Sequence, residues 1–181
     1  MGGTIMSYEV VKSEKKYDGA FLSVKKDEIL MPDGKTAFRE VVERGAATAI
    51  LPIDSMGNII LVRQYRHPFQ EMILEIPAGI MEEGEEPAEC AKRELEEETG
   101  FKAKELEFIC EMYPTPGFCM EKLYLYIADE LEQGKQHFDE DEFIEVEKYT
   151  LQQALDMVRD GKIKDAKTIL LLFAYQAKKA I

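Results

Sequence analysis

Three glutamates, Glu94, Glu97 and Glu98, stand three and four residues apart in a stretch rich in Ala, Glu, Lys and Arg that runs from about Glu86 to Thr99. Pro87 near its start and Gly100 after its end mark this stretch as a helix. On a helix the three carboxylates share one face, with Ala88, Ala91 and Leu95 on the neighbouring one. Like charges at these spacings destabilise an isolated helix, each pair by roughly 0.2–0.5 kcal/mol. Either a hard divalent cation such as magnesium, which takes carboxylate oxygens, or solvent around an ordinary acidic surface must compensate them. Spacing alone leaves both open.

The flanking residues narrow the choice. Gly79, Glu85, Arg93, Glu94, Leu95, Glu97, Glu98, Gly100 and Phe101 stand in one frame within GIMEEGEEPAECAKRELEEETGF. They match, without a gap, the Nudix box G-x5-E-x7-R-E-U-x-E-E-x-G-U, where U is aliphatic or bulky and apolar. Nine specified positions over twenty-three residues are far more specific than a lone glycine motif, and the chain resembles the Nudix hydrolases. The resemblance implies an α/β fold, an α/β/α sandwich with a mixed β-sheet between helices. It implies that Gly79 and Gly100 permit tight backbone turns at the two ends of the helix. Arg93 would pair with Glu85 or Glu97 and hold loop to helix, which makes Glu85 and Arg93 structural. By the same resemblance Glu94 and Glu98 are the principal magnesium ligands, with Glu97 in their cluster, the Ala78 carbonyl as a further ligand, and manganese as the substitute metal.

The box is shared by enzymes of different substrates, so it indicates a reaction class and leaves the substrate open. From about Tyr17 onward the chain also resembles the ADP-ribose pyrophosphatase subfamily: a proline about fifteen residues beyond the box, here Pro116 in Thr115-Pro116-Gly117, then Glu121; the FREVVERG run; Gln64 to Arg66; EDEFIEV; and a late G-K-I-x-D-A-K-T stretch from Gly161 to Thr168. Carried over by position, Arg39, Glu40, Arg44, Arg66, Ile80, Thr115, Pro116, Gly117 and Glu121 contact ADP-ribose, and Glu142 adds a metal ligand. Phe21 either packs in a core or stacks on adenine. Cys119 and Met120 depart from the small or polar residues expected in that loop. The subfamily's N-terminal lobe forms a homodimer in which one subunit completes the other's site.

The implied reaction is magnesium-dependent hydrolysis of a pyrophosphate bond, giving AMP and ribose 5-phosphate from ADP-ribose. A metal-bound water attacks phosphorus, and a loop carboxylate takes its proton; the resemblance points to Glu140, with Glu97 the alternative. A broader nucleotide-sugar pyrophosphatase, GDP-mannose included, keeps the chemistry and changes the substrate. A nonhydrolytic Nudix-like nucleotide-binding module is the rival from another class, but such proteins usually lose box glutamates and all are present here. There is no Walker-A run and no GxSxG, and neither His67 nor His137 has an arguable partner.

The elements that must position these groups are legible in outline. FLSVKKDEIL and TAFREVVE read as strands around a Pro32-Asp33-Gly34-Lys35 turn, a small antiparallel N-terminal sheet. AATAILPI and IILVRQYR flank a turn from Asp54 to Asn58 and read as central strands; LEFICEMY, KLYLYIAD and IEVEKYT follow the helix as further strands. TLQQALDMVRDG and AKTILLLFAYQAKKA read as closing amphipathic helices. Residues 1–44 form the lobe and 45–181 the hydrolase domain under this reading. Met6 is a plausible start, which would place residues 1–5 outside the native chain.

At 181 residues, 45% of them hydrophobic, the chain can bury a core. It has no apolar run long enough to span a bilayer and no leader-like N-terminus, so a cytoplasmic enzyme is expected, with no membrane partner. A net charge of −13 without a basic stripe argues against nucleic acid. Cys90, Cys110 and Cys119 lack metal-site or disulfide spacing and read as reduced thiols.

Overall fold

The computed structural model describes residues 8–137 and 143–180, which form two compact units. One runs to Gly45 and takes in Tyr113–Lys122; the other comprises Ala46–Met112 and the chain from Leu123 onward.

The first unit is an antiparallel sheet of β1 (Glu9–Asp18), β2 (Ser23–Leu30) and β3 (Thr36–Glu43), in that order. The β2–β3 turn is closed by the Met31 N–H on the Lys35 carbonyl at 2.7 Å, with Gly34 at φ 80°, a conformation glycine adopts at little cost. β1 is exposed along its whole length, so its sequence carries no alternation of buried and solvated positions and sequence reading missed it. Tyr113–Lys122 is held to β3 by its backbone: the Val42 N–H donates to the Phe118 carbonyl at 2.7 Å and the Met120 N–H to the Val42 carbonyl at 2.9 Å.

The second unit is built on a mixed sheet. β4 (Ala47–Pro52) pairs antiparallel with β7 (Ala78–Ile80) and parallel with β10 (Leu123–Ala128), and β9 (Glu107–Met112) lies antiparallel on β10. β5 (Asn58–Arg66) is flanked antiparallel by β6 (Glu71–Glu75) and β12 (Ile144–Thr150), while β8 (Phe101–Ala103) pairs with β11 (Leu131–Gln133). The β8–β11 pair was not anticipated, because three residues are too few to show a period.

Alternation along β4 and β10 makes the sandwich. Ile50, Tyr126 and Ala128 pack on one face with Ala91 and Leu95 of α1 (Pro87–Thr99). Ala49, Leu51, Leu125 and Ile127 point to the other face, against Ala154 and Leu155 of α2 (Leu151–Arg159) and Leu171, Leu172 and Tyr175 of α3 (Ala166–Lys179). The α/β/α arrangement expected from the sequence is therefore present. Among the described residues no helix is long and apolar enough to cross a membrane.

Candidate active site

Helix α1 starts at Pro87 and ends on Gly100, whose φ of 73° lets its N–H return to the Glu96 carbonyl at 2.8 Å. Helical spacing sets Glu94, Glu97 and Glu98 on one face, with the Glu94 carboxyl against Gly79 of β7. Glu98 is 3% exposed, and Glu97 lies nearer solvent, its side chain 40% exposed.

Arg93 organises this face. Its Nε and Nη2 take the two oxygens of Glu85 at 2.9 and 3.0 Å, a bidentate pair, and its Nη1 reaches Glu94 at 2.7 Å and Glu97 at 2.9 Å. Nη2 also donates to the Ile80 carbonyl at 3.3 Å and the Cys90 sulfur at 3.4 Å. Arg93 thus pairs with Glu85 and Glu97 together, and with Glu94 besides. Hydrogen bonding to Arg93 holds the Glu85 carboxyl down at a pKa of about 2, while Glu85 in turn raises that of Arg93. The Glu85 Oε2 also accepts the Glu82 N–H at 2.9 Å, so one carboxylate closes its own loop and ties it to the helix.

Gly79 differs from expectation in its reason for being glycine. It is not among the residues with positive φ and lies in β7 opposite Thr48, so no tight turn requires it. A Cβ there would stand 1.9 Å from Cδ of Glu94: glycine is needed because the Glu94 carboxyl lies flat against the strand. Cys90 sits behind the same point, accepting from the Thr48 hydroxyl at 3.3 Å, and burial pushes its thiol up to about 11.

The donor set suits a hard cation, three carboxylates on two turns of one helix. Among the described residues no group of three or more His, Cys, Asp or Glu is gathered closely enough to hold a metal ion; two of the α1 carboxylates are paired to the Arg93 guanidinium instead. Glu140 and Glu142, the expected base and additional ligand, lie outside the described residues.

Arg66 ends β5 and turns back to Glu75, Nε to Oε1 at 2.6 Å. Glu75 is 2% exposed, and its other oxygen accepts from Lys167 Nζ at 2.5 Å. Burial alone would lower the Lys167 pKa, but Glu75 and Asp165 outweigh it and raise it. Sequence reading singled out neither Glu75 nor Lys167 as a site residue, although Lys167 stands in the late D-A-K-T stretch.

In the first unit, Arg44 and Glu121 meet at 3.2 Å, an ion pair made by the backbone bonds between β3 and the Tyr113–Lys122 loop. The Thr115 carbonyl accepts the N–H groups of Phe118 and Cys119, which folds Thr115, Pro116 and Gly117 into a turn. Arg39 and Glu40 lie on β3 opposite Asp27 and Lys26, both exposed. Phe21 is 79% exposed; packing in a core, one of its two expected roles, is therefore excluded.

Residues 43–172 match the family described as NUDIX domain, and residues 8–42 match the nucleoside diphosphate sugar hydrolase N-terminal domain. The chain is 40% identical over 175 residues to an ADP-ribose pyrophosphatase of Bacillus subtilis (strain 168), covering 96% of this chain and 95% of the relative. It is 35% identical over 181 residues to a methanol dehydrogenase activator of Bacillus methanolicus, covering 99% and 98%. It is 38% identical over 144 residues to a GDP-mannose pyrophosphatase of Yersinia pestis (strain Pestoides F), covering 74% and 72%. Among solved structures, an ADP compounds hydrolase superposes with a TM-score of 0.87 at 23% identity, covering 97% of this chain and 96% of that one.

Proposed function

The chain belongs to the Nudix family, and from that premise we propose that it hydrolyses the pyrophosphate bond of ADP-ribose, with magnesium, to AMP and ribose 5-phosphate. The observation that carries the reading is the α1 face, where Glu94, Glu97 and Glu98 stand together and Arg93 grips two of them. The substrate follows from likeness to the Bacillus subtilis relative over nearly the whole of both chains.

Glu94 and Glu98 would hold the metal, with Glu97, the Ala78 carbonyl and Glu142 completing the donors; manganese would serve in place of magnesium. A divalent cation held there would supply charge neutralisation for the pyrophosphate and acidify the attacking water. Glu140 would take the proton of the attacking water, with Glu97 the alternative base. Arg66 and the backbone at Ile80 bind the pyrophosphate side. Arg39, Glu40, Arg44, Thr115, Pro116, Gly117 and Glu121 bind the remainder of the substrate, and the exposed Phe21 ring stacks on adenine.

Residues 1–44 act as a dimerisation lobe on a hydrolase domain of residues 45–181, and a homodimer is the working form. The uncovered length of β1 supports this, since sheet edges are ordinarily paired or protected. All three cysteines are free, in keeping with a reducing cytoplasm. Sedimentation at micromolar concentration tests the dimer, and a fully active monomer overturns it.

A second reading, a broader nucleotide-sugar pyrophosphatase, is favoured by the similarity to the Yersinia relative. Turnover of a panel of nucleoside diphosphate sugars and dinucleotides with magnesium separates the two. ADP-ribose should have the highest kcat/KM and yield AMP; a preference for GDP-mannose selects the second reading, and no turnover of any member refutes both.

A further inference from the structure

Glu75 is the most deeply buried carboxylate among the described residues, and its two oxygens are divided between two cations. Oε1 accepts from Arg66 Nε at 2.6 Å and Oε2 from Lys167 Nζ at 2.5 Å. Lys167 also reaches Asp165 Oδ1 at 2.9 Å. The other oxygen of Asp165 caps α3, accepting the Thr168 N–H at 2.9 Å and the Thr168 hydroxyl at 2.5 Å. The Thr168 Oγ1 in turn accepts the Ile76 N–H at 2.9 Å, which returns the chain of bonds to the residue after Glu75. The start of α3 and the end of β6 are thereby locked together around one ion cluster.

The charges set the consequence. Arg66 and Lys167 balance Glu75 and Asp165, and the negative charge of Glu98 on α1 also acts on Arg66. A carboxylate with both oxygens available grips an arginine by its fork, two parallel bonds that fix the guanidinium plane on the acid. With Oε2 taken by Lys167, Glu75 has Oε1 to offer, and the contact falls on Arg66 Nε. The guanidinium is then anchored at its inner nitrogen.

We propose that Lys167 is a positioning residue for substrate: by occupying Oε2 of Glu75 it confines Arg66 to the Nε contact and so orients the guanidinium for the substrate diphosphate. This rests on the pyrophosphate reading of the site given above. Lys167 touches no substrate; it acts through Glu75 on Arg66.

Two measurements on the full-length protein test it. The first needs no substrate: the Arg66 Nε–H resonance in 15N–1H spectra, identified by its loss in Arg66→Lys. Lys167→Met should shift it and change its exchange rate, while Lys167→Arg should leave it near its original position; an unmoved signal in Lys167→Met overturns the proposal. The second is kinetics with ADP-ribose and saturating magnesium. Lys167→Met should raise KM about tenfold with kcat changed less than about threefold, and Lys167→Arg should restore KM. Adding Lys167→Met to Arg66→Met should raise KM no further, because both act through one guanidinium; multiplied effects overturn the proposal. If Lys167→Met alone does not fold, the charge-neutral pair Asp165→Asn with Lys167→Met replaces it, since asparagine also caps a helix and the Glu75–Arg66 pair is left intact. That pair should show the same KM rise, and an unchanged KM counts against the proposal. If the wild type does not turn over ADP-ribose, the substrate reading fails, and the spectrum still decides whether Lys167 sets Arg66.

Discussion

The carboxyl of Glu94 fills the space in front of Gly79, where a Cβ would stand 1.9 Å from its Cδ and Oε1. Strand β7 and helix α1 therefore approach closely enough to admit no side chain at position 79. In Gly79→Ala the strand can keep its backbone, since its φ is not positive, and the flexible end of Glu94 must move instead. Because a displacement of about 1 Å at a reacting centre can cost on the order of 10² in rate, turnover should fall about a hundredfold. Overpacking costs about 1–3 kcal/mol, so the protein should remain folded. Kinetics beside a thermal melt checks this; undiminished turnover would mean that Glu94 is not needed where it lies.

Glu85 should stabilise the fold without taking part in chemistry. Its bidentate pair with Arg93 is partly buried, and Glu85→Gln should cost about 1 kcal/mol, or roughly 2–4 °C in Tm for a chain of this size. Arg93 holds the folded pKa at about 2, below the usual 4.5, so the unfolded chain takes up the proton first. The stabilisation is complete above about pH 4.5 and is lost as pH falls through about 2. Melts of metal-free wild type and Glu85→Gln should converge over that window, and a constant Tm difference would refute the assignment.

Cys90 should resist alkylation. It is buried, with its thiol pushed up to about 11, and the thiolate is the reactive form. Iodoacetamide at pH 8 should label Cys110 or Cys119 well before Cys90 in native protein, and all three after denaturation, as peptide mass spectrometry would show. Rapid native labelling of Cys90 would mean that the space behind Gly79 opens readily.

Glu140 and Glu97 can be told apart as bases. Glu140→Gln should depress the single-turnover rate by about 10²–10⁴ with magnesium dependence unchanged, since the ligands remain. Rescue by added magnesium, or the same metal-independent loss in Glu97→Gln alone, would move the role to the helix.

Much of this was legible in the residues because two independent patterns agree. The continuous apolar runs of β4, IILVRQYR in β5 and KLYLYIAD in β10 are imposed by burial on both faces of a sheet, and the α1 carboxylates are fixed by helical spacing. Elements without a burial pattern were hidden: β1 is solvated throughout, and β8 and β11 are too short. The sequence indicates a turn at Gly79, whereas the strand there needs glycine for the Glu94 carboxyl; close approach of a side chain from another element leaves no local signature. The Arg66–Glu75–Lys167 cluster was hidden for the same reason. Its members are brought together by packing of α3 on the strand end, and Glu75 in ILEIPAG looks like any strand acid.

The central claim is that hydrolysis depends on metal held by Glu94 and Glu98. Its most direct test is the single-turnover rate of ADP-ribose cleavage titrated with magnesium in wild type, Glu94→Gln and Glu98→Gln. Wild type should show no cleavage in EDTA and full recovery with magnesium. Each variant should lose at least about a hundredfold at saturating metal; metal-free thermal stability should hold or rise in Glu98→Gln as like-charge repulsion is relieved, and fall slightly in Glu94→Gln, which gives up its 2.7 Å pair with Arg93. Near wild-type cleavage by either variant at saturating magnesium would contradict the claim.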